Sequence, residues 1–153
     1  MKTATVTFEV GSAKIAVPTD ELFRAWLNKH INQPDAGLVL PAAQPGERYV
    51  GGIINPNGTV RHIFLLPGDS DGKAWQAQMD WAATTGGELP DRVESALLFQ
   101  TMPEEFKKEC YWLREQRAAN SDSAWCQYFG VGYQLIYYKT SKLRARAVRS
   151  VTI

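Results

Sequence analysis

From Cys110 to Val151 the chain reads as four strand-like runs in succession, CYWLRE, AWCQYFG, YQLIYYK and RARAVRSV, with no helical period between them. Strands joined by short connections pair antiparallel, because a parallel pair needs a crossover of a dozen or more residues. The longest connection, QRAANSDS at Gln116–Ser123, reads as a loop too short for such a crossover.

The segments before this run fit the same class. Val6, Phe8 and Val10, then Ile15 and Val17, alternate around Gly11-Ser12, the pattern of a hairpin with one apolar face. Pro18 ends it. Thr19 or Asp20 can cap a helix to about His30, with Leu22, Phe23, Trp26, Leu27 and Ile31 as its apolar stripe. NQPDAGLVLPAAQPGE, with three prolines and two glycines, is a loop and marks a boundary. The expected organisation is an N-terminal hairpin-helix extension, residues 1–35, and a main domain, residues 48–153.

The main domain opens with a second hairpin, RYVGGIINPNGTVRHIFLLPG, turning at Asn55-Pro56-Asn57-Gly58. A helix follows, with Asp71 as a possible cap, Trp75, Met79 and Ala82 on one face, and Gly86 at its end. In LPDRVESALLFQ, Asp91 and Glu94 have the spacing of a capping box, with Val93, Leu97 and Leu98 turned inward. With no βαβ alternation, the fold class is α+β: an antiparallel sheet with two helices.

A chain of 153 residues can bury a core without staples, and 44% hydrophobic with 22% charged residues is ordinary for a globular domain. Net charge is +1, which favours neither nucleic acid nor membrane. The charge is uneven, however. Residues 127–153 hold five cations and no acid, leaving 12 cations against 16 acids in the rest. No apolar run is long enough to span a bilayer. The N-terminus reads as a strand rather than a signal peptide. Two cysteines, Cys110 and Cys126, make no disulfide framework, so the expected setting is a reducing cytoplasm or a virion.

GGELPDRVESALLF, Tyr111-Trp112, the AW of Ala124-Trp125, FGVGYQ and RARAVR occur in that order with short spacers. This ordered set resembles the phage and bacterial family related to the C-terminal domain of a collagen-like adhesin. Members of that family are similar to C-type-lectin-like domains, to formylglycine-generating enzymes and to variable proteins of diversity-generating retroelements. The resemblance covers roughly residues 48 to 151. It implies a C-type-lectin-like domain of phage or prophage origin that recognises a ligand through the region following FGVGYQ. Asp91 stands where the family usually has threonine, which keeps a helix cap. Leu113 and Arg114 stand where it has small polar residues, which alters a local surface.

QPD at Gln33–Asp35 matches a calcium-ligating tripeptide of sugar-binding lectins, but one carboxylate and one amide fall short of the six to eight oxygens calcium takes. Trp125-Cys126-Gln127 also lacks the carboxylate those lectins place downstream, so no metal is expected. Asn57-Gly58-Thr59 reads as a turn. A cuprous enzyme of the formylglycine-generating type needs two neighbouring thiolates, which Cys110 and Cys126 supply only if their strands are adjacent. With only His30 and His62 present, nucleophile–base pairs are poorly supplied, and neither enzyme activity nor a cofactor is expected.

Trp75, Trp112 and Trp125 are read as core. In GVGYQLIYYKTSKLRARAVRSV, alternation puts Tyr133, Leu135 and Tyr137 on one strand face and Gln134, Ile136 and Tyr138 on the other, one of them core. Arg144 and Arg146 share a face and point to solvent or to acids. The expected partner-binding residues are Arg114, Tyr133, Tyr137, Tyr138, Lys139, Lys142, Arg144 and Arg146, together with the Gln116–Ser123 loop. Tyrosine suits such a surface because it offers a large amphipathic area with few torsions to freeze. Basic strands carrying aromatics also suit single-stranded nucleic acid, and a plain structural strand is the main alternative to both. Leu22, Phe23 and Trp26 are the expected contact of a homo-oligomer, against a helix folded onto its own domain. The expected partner is a host or phage protein.

Overall fold

A computed structural model of the chain describes residues 4–30 and 40–153, with the side chains of Val10 and His30 excepted. The QPD tripeptide and Ile31 lie outside the described residues. The chain divides into two compact units, Met1–Leu40 and Pro41–Ile153, and the fold is mixed α+β.

In the first unit, β1 (Thr5–Val10) pairs antiparallel with β2 (Ala13–Pro18), and Gly11 takes the left-handed conformation that the tight turn requires. The register sets Val6 opposite Val17 and Phe8 opposite Ile15. Helix α1 (Thr19–His30) follows directly. The Thr19 hydroxyl donates to the Ala4 carbonyl at 2.7 Å, tying the helix start to the base of the hairpin.

The second unit contains two sheets. In the first, β3 (Arg48–Ile54), β4 (Val60–Leu65) and β10 (Val148–Thr152) lie in the order β10-β4-β3, all antiparallel. The β3–β4 turn is the Asn55–Gly58 turn, closed by Gly58 N–H donating to Asn55 O, with Asn57 Oδ1 accepting from Thr59. The second sheet has the order β5-β9-β6-β7-β8, formed by β5 (Ser70–Lys73), β6 (Cys110–Arg117), β7 (Asn120–Tyr128), β8 (Gln134–Tyr138) and β9 (Leu143–Ala145). Its pairs are antiparallel except β6–β9, a parallel contact at Tyr111 and Arg144.

Helices α2 (Trp75–Thr84) and α3 (Arg92–Thr101) follow one another between β5 and β6, two strands of the five-stranded sheet. The capping box at α3 forms as its spacing predicts. Asp91 Oδ1 accepts from Glu94 N–H at 2.7 Å, and Glu94 Oε2 accepts from Asp91 N–H at 2.8 Å. At α2 the expected cap fails: Ala74 is the N-cap, and Asp71 belongs to β5, a strand that a four-residue polar run conceals.

Two further expectations are corrected. Gln116–Ser123 is no loop, because β6 and β7 run through it and turn between Arg117 and Asn120. RARAVRSV is two strands in two different sheets. The chain leaves the five-stranded sheet at Ala145 and joins the three-stranded one at Val148, held between them by Leu66 N–H donating to Ala147 O.

Apolar residues gather in two clusters. One joins α2 to the large sheet through Leu66, Trp75, Leu89, Trp112 and Cys126. The other joins α3 to both sheets through Ile63, Leu65, Leu98, Phe106, Tyr111 and Phe129. Phe106 and Phe129 stack with centroids 3.8 Å apart. Trp75 and Trp112 are buried and satisfy their indole N–H groups on Leu113 O and Lys73 O, as buried tryptophan requires.

Candidate functional site

Strand β8 is the outer strand of the five-stranded sheet. The chain reaches it through a turn at Gly132, whose φ of 87° suits glycine and whose added Cβ would meet Phe99 Cε1 at 2.6 Å. Tyr128 N–H then donates to Tyr133 O, and the β7–β8 register runs from Gln127 opposite Gln134 to Ser123 opposite Tyr138. Large side chains crowd this edge: Tyr133 is 67% exposed, Tyr138 66%, Tyr137 39%, and Leu135 and Ile136 36% each.

The sequence pattern requires one face of this strand to be core, and the structure corrects that reading. Cys126 and Ala124, one strand inward, are fully buried on the face shared with Leu135 and Tyr137. The covering layer ends there, so both faces of β8 stay partly open.

The expected partner-binding cations divide sharply. Arg144 and Arg146 are each only 9% exposed and are held inside the domain. Arg144 pairs with Asp69 and Asp71 at 2.9 Å, and the Asp69 bond raises its affinity for its proton. Arg146 donates to Glu105 O and Leu66 O. Arg149 closes on Glu47 with two bonds of 2.6 Å. Arg114 reaches Asp91 at 2.8 Å and Glu94 at 2.9 Å. Arg144 and Arg146 are buried clamps, which removes them from the expected surface, while Arg114 is half-buried against Asp91 and Glu94. Lys139 is half-buried, donating to Gln116 Oε1 at 2.7 Å with its ammonium 4.2 Å from the Trp75 ring centroid, and Lys142 is exposed.

The arginine partners are what sequence reasoning missed. Glu94 is fully buried, yet it accepts from Arg61, Arg114 and Ser150 Oγ as well as from the Asp91 backbone. Burial pushes the Asp91 carboxyl up, but the Glu94 N–H, Arg61 and Arg114 outweigh it and hold the carboxyl below its ordinary value. The capping-box motif was the visible signal of this cluster; its two arginines, on β4 and β6, were not visible.

Between α3 and the large sheet lies a cavity of about 630 Å³, lined by Arg92, Val93, Phe99, Glu115, Gln127 and Gln134 among others. Val93, expected to face inward, is 57% exposed at this cavity. Trp125 is half-buried, with the Arg92 guanidinium 3.8 Å above its ring centroid. A second cavity, about 390 Å³, is lined by Arg117, Asn120, Ser123, Ile136, Tyr137 and Tyr138.

In the first unit, Phe23 (58% exposed) and Trp26 (50%) stack with centroids 6.3 Å apart on α1, while Leu22 is half-buried. Val6, Phe8 and Ile15 of the hairpin are exposed as well.

Cys110 and Cys126 are free thiols on the adjacent strands β6 and β7. Burial pushes both thiols up, and Cys126 strongly so, which is the opposite of a reactive thiolate. Among the described residues no group of three or more His, Cys, Asp or Glu side chains is placed to hold a metal ion. No helix among them is long and apolar enough to cross a membrane. In comparisons with known proteins, the chain matches no family model and no curated protein.

Proposed function

We propose that the second unit is a non-catalytic recognition module of C-type-lectin-like type, phage or prophage encoded, that binds a protein partner through the β8 edge. One observation carries the reading. The outer strand β8 and the Tyr133 that leads into it present Tyr133, Leu135, Ile136, Tyr137 and Tyr138, each at least 36% exposed. Folded proteins blunt such edges with charge, proline or cover, because an open apolar edge pairs with other chains. Large apolar side chains gathered exposed at one sheet edge are the kind of surface that marks an interaction site.

The electrostatics favour protein over nucleic acid. Arg144, Arg146 and Arg149 are committed to Asp69, Glu105 and Glu47. Of the five cations in the basic tail, Lys139 and Lys142 remain, a small footprint for phosphate neutralisation. The first unit serves self-association in this reading, through the stacked and exposed Phe23 and Trp26. Host cytoplasm and virion are both compatible settings.

The test is capture from host lysate with and without nuclease, using wild type beside a Tyr137→Ala/Tyr138→Ala variant shown to fold. A host protein retained through nuclease by wild type and lost by the variant is the expected result. Equal capture by both would assign β8 a structural role, and capture abolished by nuclease would restore the nucleic-acid reading.

A further inference from the structure

Gln127 is 1% exposed and lines the cavity between α3 and the large sheet, and its Oε1 has no hydrogen-bond partner. A buried acceptor left unpaired is costly, and such groups in folded proteins call for an explanation. Its cross-strand neighbour does not supply one. Gln134 stands directly opposite, but its Oε1 accepts from Arg92 Nε at 2.9 Å and its Nε2 donates to Arg92 O at 2.7 Å. Gln127 therefore leaves a buried, unpaired acceptor at the wall of a cavity that also holds Phe99 and the exposed Val93.

The second cavity lies on the same face. Alternation places Gln134, Ile136 and Tyr138 on one side of β8, with Gln127, Trp125 and Ser123 as their register partners. Gln134 lines the first cavity and Tyr138 the second. They stand four positions apart along the strand, about 13 Å at roughly 3.3 Å per residue. At the second cavity stands the exposed Arg117, with which no carboxylate forms an ion pair among the described residues.

We propose that an extended peptide segment of the partner adds to the open edge of β8, laying a tyrosine across the α3 cavity onto Gln127 and an acidic side chain, four residues away, against Arg117. Main-chain bonds to the edge supply affinity, and same-face side chains in the two cavities supply selectivity. The side chain that meets Gln127 must be long, since β7 lies a full strand spacing behind β8. It must also end in a donor. Tyrosine meets both needs, its ring against Phe99 and Val93 and its hydroxyl on Gln127 Oε1. The cavity wall carries one cation, Arg92, and one acid, Glu115, so a neutral donor suits it better than a lysine or arginine. This inference rests on the reading of β8 as a protein-recognition edge and goes beyond it by naming the segment.

The test is fluorescence-anisotropy titration of the full chain with β-prone Thr/Val peptides. These carry Tyr or Phe at one position and Glu, Ala or Lys four residues away, in both orders. In the favoured order, Tyr should bind about fivefold tighter than Phe, within the range expected of one net hydrogen bond, and Glu tighter than Ala or Lys. Gln127→Leu should erase the Tyr-over-Phe preference alone, and Arg117→Glu should turn the Glu preference into one for Lys. N-methylation of the peptide backbone should abolish binding. No binding by any peptide at millimolar concentration, equal binding of Tyr and Phe, or a preference that survives Gln127→Leu would overturn the inference. If capture still depends on Tyr137 and Tyr138 in that event, the recognition reading stands and only the named segment falls.

Discussion

Arg92, the first residue of α3, lies over the indole of Trp125 on β7, its guanidinium carbon 3.8 Å from the ring centroid. Its Nε donates to Gln134 of β8 as well, so one side chain ties the helix to the two outer strands. Trp125 is thereby half-covered by a cation, whereas Trp112, one strand inward, is 0% exposed.

The two tryptophans should respond differently to truncation. Trp112→Ala should cost about 3–5 kcal/mol, the range for large aromatic residues in a core. Trp125→Ala should cost clearly less, because only part of its surface leaves water on folding. Urea denaturation of both variants checks the order; a Trp125 cost equal to that of Trp112 would contradict it.

The cluster at Glu94 should behave as one unit. Arg114→Ala leaves buried Glu94 with Arg61 as its remaining guanidinium, so the cost should stay below the about 3–5 kcal/mol of leaving a buried charge wholly unpaired. The double variant Arg114→Ala/Glu94→Gln should be less destabilised than the two single changes added together, since both changes remove the same Arg114–Glu94 ion pair. Additive single costs, read by denaturant titration, would show that the residues do not share a network.

Acid should weaken the fold through Glu47 and Asp91. The Arg149 hydrogen bond holds the Glu47 carboxyl below its ordinary 4.5, and Asp91 lies below its ordinary 3.8. A carboxyl depressed on folding contributes stability that is complete above the unfolded value and is lost as pH falls through the folded one. The denaturation midpoint should therefore fall off below about pH 4.5, and Glu47→Gln should flatten that fall. An unchanged acid slope in Glu47→Gln would remove Glu47 from the account.

The thiols should be quiet in the native state. Burial raises both, so at neutral pH Cys126 and Cys110 should react slowly with a thiol reagent, Cys126 the slower because it is fully buried. Both should react at once in urea. Rapid modification of Cys126 without denaturant would show that the β6–β7 pair opens.

Local chemistry was legible in the sequence; long-range pairing was not. The Asp91–Glu94 capping box, the Asn55–Gly58 turn and the N-terminal hairpin are set by residues within a few positions of one another, and each forms as its pattern predicts. The arginines mislead because their acids are remote in the chain: Asp69 lies 75 positions from Arg144, and Glu47 102 from Arg149. An arginine on an alternating strand looks solvent-facing until the acid that folds against it is known. The switch of sheets at Arg146-Ala147 was hidden for a related reason, as period-two alternation continues through a bend without changing phase. The edge position of β8 depends on strand order, which hydropathy does not encode, and the cavity at Gln127 depends on where α3 packs.

Backbone hydrogen exchange, followed by mass spectrometry on the full chain free and bound to its captured partner, tests the recognition edge most directly. An outer strand leaves part of its amides unpaired, so β8 should exchange faster than β7 in the free chain. On binding, peptides covering Gln134–Lys139 should gain protection. Protection that appears elsewhere and leaves these residues unchanged would contradict the assignment of β8 as the binding edge.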